Sequence, residues 1–94
     1  MRLKSKLEEL FDNDLTFGTD SLNFENGIMI NQHNDMVDYI ILEYRDRFDV
    51  YLNLFDDGEP PYRNILVKGS SSKKDVAKRI AVRKLNNEAY GHLN

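Results

Sequence analysis

From Phe48 to Phe55 the chain alternates without a break: Phe48, Val50, Leu52 and Leu54 fall on one side, Asp49, Tyr51 and Asn53 on the other. A period of two marks a β-strand with one apolar face, and such half-buried strands belong to antiparallel sheets. Neighbouring stretches extend the pattern. Val37 to Tyr44 precedes it, with Tyr44-Arg-Asp-Arg47 as the turn, and Tyr62 to Lys68 follows the loop Asp56-Asp-Gly-Glu-Pro-Pro61. Gly58 and the two prolines punctuate that loop, and a proline just outside a strand removes no ladder hydrogen bond. The expectation is a three-stranded antiparallel meander whose apolar face needs a covering layer.

Two stretches with helical spacing can supply that layer. Arg2 to Phe11 puts Leu3, Leu7, Leu10 and Phe11 on one face, and Asp12-Asn-Asp14 ends it. The second runs from a serine-rich turn, Gly69-Ser-Ser-Ser72, through Lys73-Lys-Asp-Val-Ala-Lys-Arg-Ile-Ala-Val-Arg-Lys-Leu85. Ser72 reads as its N-cap, with Asp75 completing a capping box, and Val76, Ala77, Ile80, Ala81 and Leu85 form one apolar stripe. Asn26-Gly27, between the alternating Leu22-Asn-Phe24 and Ile28-Met-Ile30, signals a type I′ hairpin additional to the meander. Asn31 to Asp35 is then a polar turn. The expected fold class is α+β: one domain over residues 1–94, with an antiparallel sheet of three to five strands. The N- and C-terminal helices are expected to pack together on one face of that sheet.

Lys73 and Lys74 fall in the first turn of the second helix, where the positive dipole end prefers acids. The mismatch costs only about 0.3–1 kcal/mol each, but cations beside unpaired N–H groups make a phosphate-binding end. At these residues the chain resembles the double-stranded RNA-binding domain family. The likeness covers about residues 37–85 in layout and 69–85 in motif. That family runs helix, three antiparallel strands, helix, and grips phosphates with a Lys-Lys-x-Ala-Lys pattern at the second helix start. Matched through Ser72, Lys73 and Lys74, the pattern has Ala77 in place of its third lysine. Matched through Ala77 and Lys78, it has Asp75 in place of its second. Lys74 and Lys78 share a helix face, while Lys73 points away from Lys78. Where the family has a Gly-Pro-x-His minor-groove loop, this chain has Tyr44-Arg-Asp-Arg47. The resemblance implies phosphate contacts at Ser72, Lys73, Lys74 and Lys78, with duplex RNA or another structured nucleic acid as partner.

Charge divides the chain. Residues 12–67 carry three bases and twelve acids, whereas residues 68–94 carry seven bases and two acids, within a net charge of −3. A basic strip on an acidic body suits two kinds of partner. The alternative to nucleic acid is a basic protein held by the acidic sheet, as a phage-type inhibitor mimicking nucleic acid would do, with Asp46, Asp49 and Asp56 as contacts.

The remaining motifs carry less. His33, Asp35 and Asp38 match no established metal-ligand spacing, and the acids of the 56–59 loop lack the spaced series of a calcium site, so no metal is expected. Tyr39, Tyr44, Tyr51 and Tyr62 could stack bases, but tyrosines commonly fill half-buried strand positions. No nucleophile–base pair or glycine-rich phosphate loop stands out, so neither an enzyme, a cofactor nor a small-molecule substrate is expected. With no cysteine, no signal-peptide pattern and no apolar run longer than Tyr39–Leu42, the expected setting is cytoplasmic and away from membranes.

Overall fold

Six elements follow one another: α1 (Lys6–Asn13), β1 (Asn23–Ile30), β2 (Met36–Glu43), β3 (Phe48–Asp56), β4 (Arg63–Ser71) and α2 (Lys74–Tyr90). The structure is a computed structural model and describes residues 4–58 and 60–91. The four strands form one antiparallel sheet in the order β1-β2-β3-β4. The fold is therefore α+β with a helix at each end, and its strand number lies within the expected range. Among the described residues no helix is long and apolar enough to cross a membrane.

The alternation in β3 sets which side α2 covers. Val50, Leu52 and Leu54 join Val37, Ile41 and Val67 beneath Ala77, Ala81, Leu85, Ala89 and Tyr90 in the main core. This helix packs almost backbone to backbone on β4. A Cβ at Gly69 would lie 2.4 Å from the Ala77 carbonyl oxygen and 2.6 Å from the Ala81 nitrogen, so only glycine fits there.

The first helix is not where it was expected. It lies on the opposite face, where Leu7 packs with Ile40 and Leu42, and Leu10, Phe17, Tyr51 and Leu66 surround them. The molecule thus has three layers, with α1 and α2 separated by the sheet. The cause is polar. Asn53, read as solvent-facing, is fully buried; its Oδ1 accepts the Leu7 N–H at 2.8 Å, and Asn64 Oδ1 accepts the Lys6 N–H at 3.0 Å. Both are first-turn donors that have no partner within the helix. The Asn53 amide also donates to Asn64 Oδ1 and the Ile65 carbonyl, at 3.1 and 3.0 Å. The α1 N-terminus therefore docks on a pair of sheet asparagines. Its cap is Ser5, whose hydroxyl accepts from the Glu8 N–H at 3.2 Å. Ser5-x-x-Glu8 has the spacing of a capping box, of which the serine half is formed, and reading the helix from Arg2 hides it; residues 2 and 3 lie outside the described residues.

Asn26-Gly27 is also not a turn. Both residues sit in the middle of β1, opposite Ile40 and Tyr39 of β2. The glycine is there because the Tyr39 ring lies across it: a Cβ would meet the phenol oxygen at 2.9 Å. The hairpin turn falls at Asn31–Asp35, as the polar composition predicts, with Asn34 at φ 64°. It is held to the far end of α2, where the Tyr90 hydroxyl donates to Asp35 at 2.5 Å and His33 stacks on the Tyr90 ring at 3.7 Å.

Candidate nucleic-acid interface

The start of α2 is built differently from a Ser72-capped helix. Pairing of β3 with β4 runs on to Phe48 and Ser71, the chain bends at Ser72, and helix begins only at Lys74. Lys73 occupies the cap position, with no side-chain cap bond. Ser71, not Ser72, supplies the local hydroxyl, accepting the Lys73 N–H at 3.2 Å. Ser72 is exposed and is not the N-cap.

The lysines of the expected motif divide. Lys73 and Lys78 are exposed. Lys74 reaches over to β1 and pairs with Glu25 at 3.0 Å, which neutralises it locally. Two cations the motif does not include join Lys78. Arg79 and Arg83 are exposed and, with Lys78, Val82, Asn86 and Asn87, line a shallow groove of about 480 Å³ on α2. Their signal was present in the sequence as an i, i+4 pair of arginines beside Lys78. Among the described residues none of Lys73, Lys78, Arg79 or Arg83 forms an ion pair. Lys84 faces the other way, its ammonium donating to the Lys68 carbonyl at 2.9 Å.

The acidic alternative loses its middle residue. The Asp49 side chain is 3% exposed; it accepts from Ser70 Oγ at 2.7 Å and Arg47 Nε at 3.1 Å, and Lys68 Nζ stands 3.6 Å away. That carboxylate is a buried partner of three residues and does not reach the surface. The hydrogen bond to Asp49 in turn holds the Arg47 pKa above its ordinary value. Asp46 is well exposed; Asp56 is half exposed but lies 3.5 Å from Arg63.

The tyrosines mostly pack. Tyr39 lies over Gly27, Tyr51 meets Phe17 edge-on at 5.1 Å, and the Arg47 guanidinium covers the Tyr44 ring at 4.2 Å. Only Tyr62 of the four is exposed. His33, Asp35 and Asp38 do not converge. His33 is stacked on Tyr90, Asp35 binds Tyr90 and Arg63, and Asp38 lines a groove with Glu8 on the α1 side.

A scan against protein-family models, a search of curated proteins and a search of solved structures each return no match to this chain.

Proposed function

We propose that this protein is a non-enzymatic domain that binds duplex nucleic acid, duplex RNA foremost, through the exposed basic face of α2. One observation carries the reading: Lys78, Arg79 and Arg83 are all exposed around one groove of α2, and no described carboxylate pairs with them. Clustered cations of this kind contact phosphates and read shape before sequence. Lys73, at the uncapped first turn, adds a cation beside backbone N–H groups. Lys74 contributes less, because Glu25 already holds it. A cysteine-free chain with this role suits the reducing cytoplasm.

The test is an anisotropy titration against duplex RNA, duplex DNA and single strands at two salt concentrations. Changing Lys78 and Arg83 to alanine removes two contacts. The slope of log affinity against log salt then falls by roughly 0.9 per contact, the duplex-DNA value carried over to RNA. Affinity falls by a similar factor on unrelated duplex sequences, while Lys74→Ala changes little. Wild-type protein that binds no duplex at low salt would refute the reading.

A further inference from the structure

Both helices sit over β3 and β4, so β1 is left as an uncovered edge strand. Along it Leu22, Phe24, Ile28 and Ile30 are all more than half exposed. They share one face, spaced two residues apart around Asn26, and extend about 27 Å at strand rise. Edge strands usually carry lysine, proline or a cover against pairing. The opposite edge does: β4 bears Arg63 and Lys68, and Lys84 occupies the Lys68 carbonyl. Residues 23–30 contain no lysine, arginine or proline. From this we infer that β1 is the interface for a second copy of this chain, pairing antiparallel across a two-fold axis at Asn26 to make one eight-stranded sheet.

Three features select a second copy and this register. The first is the backbone. The Asn31 N–H donates to the Asp35 carbonyl in the β1–β2 register, so odd-numbered residues of β1 face β2. Even-numbered residues of β1, from Phe24 to Ile30, then turn their N–H and C=O groups outward, whereas the Leu22 N–H just before the strand donates to the Glu43 carbonyl at 2.7 Å; a two-fold at Asn26 pairs even with even. The second is the side-chain order. Leu, Phe, Asn, Ile, Ile on alternate positions is symmetric about its centre in polarity. Phe24 therefore meets Ile28 of the second copy, Leu22 meets Ile30, and the one polar residue meets itself. Isologous contacts require such self-complementarity. The third is charge. With the axis at Asn26, Glu25 faces Gly27. Moving the axis to Glu25 sets two carboxylates directly opposed, and moving it to Gly27 sets each Asn26 against Ile28. The pairing consumes both β1 edges and leaves only the guarded β4 edges, so assembly closes at two chains.

Sedimentation velocity on the full chain tests this, with single-cysteine variants as a register probe in a chain that has no cysteine of its own. A species of twice the 11.0 kDa chain mass is expected, growing with concentration. Ile28→Lys, at a position exposed in the single chain, abolishes it while leaving the circular dichroism spectrum unchanged. Asn26→Cys cross-links to itself on mild oxidation. Ile28→Cys does not, because the two copies of residue 28 stand about 13 Å apart at strand rise. A single 11.0 kDa species up to about 1 mM, far above the dissociation constant of any stable dimer, overturns the proposal. So does a dimer that survives Ile28→Lys, one that cross-links at residue 28 but not 26, or assembly that continues past two chains.

Discussion

Gly69→Ala probes the contact that holds α2 to the sheet. The added methyl carbon would stand 2.4 Å from a backbone oxygen and 2.6 Å from a backbone nitrogen, where ordinary contact begins at 3.4 Å. Neither atom belongs to a side chain that can swing away, so the helix must lift by about 1 Å. A gap of that size forfeits a quarter to a half of each dispersion contact it opens. The contacts affected are those of Ala77, Ala81, Leu85 and Ala89 with Val67 and the strand residues beside it. Overpacking of a tight core typically costs about 1–3 kcal/mol, and a backbone clash belongs at the upper end. Alanine returns about 0.5–1 kcal/mol by restricting the unfolded chain. The net loss is about 2 kcal/mol, which for a domain of this size lowers Tm by roughly 8–16 °C. Thermal unfolding followed at the helical dichroism band measures it. Gly91→Ala is the control, since nothing lies within 4 Å of that position; it should melt at or slightly above the wild-type temperature. A Gly69→Ala protein that melts with the control would refute the close-packing argument.

Asn53→Ala leaves the buried Leu7 N–H without its partner, at about 1–3 kcal/mol. Hydrogen exchange should show amides of α1 losing protection while those of α2 keep theirs; equal loss in both helices would argue against a separate docking role. The Asp38 carboxyl has its pKa raised, first by burial and then by the nearby Glu8 charge. A raised folded-state value means that the ionised form destabilises the fold: the cost is complete above the folded pKa and vanishes as pH falls below the unfolded value of 3.8. Asp38→Asn should therefore raise Tm at neutral pH and match wild type in strong acid, which a series of melts across pH would check.

Local pattern alone determined much of this protein. The period of two from Phe48 to Leu54 predicts β3 and the identity of its core face. The stripe through Ala77, Ala81 and Leu85 predicts a helix that presses small residues onto a sheet. The turn at residues 44–47 follows from its polarity. These features depend on the order of neighbouring residues, so the sequence carries them directly. The errors all occur where a distant residue outweighs a local preference. Asn26-Gly27 favours a turn by itself, but Tyr39 on the next strand needs a glycine beneath its ring. Ser72 is a good cap by itself, but the β3–β4 ladder holds the chain as far as Ser71 and the cap position falls at Lys73. Asp49 reads as a surface acid until Arg47, Lys68 and Ser70 close around it. The side of the sheet taken by α1 is the clearest case. Two amphipathic helices and a one-faced sheet permit either arrangement, and the choice rests on Asn53 and Asn64 meeting the first-turn N–H groups of Leu7 and Lys6, a contact between residues some fifty positions apart. Likewise, composition placed positive charge in the C-terminal third, but only the tertiary structure showed that Glu25 neutralises Lys74 while Lys78, Arg79 and Arg83 stay exposed, because ion pairing depends on where β1 brings its carboxylate in space.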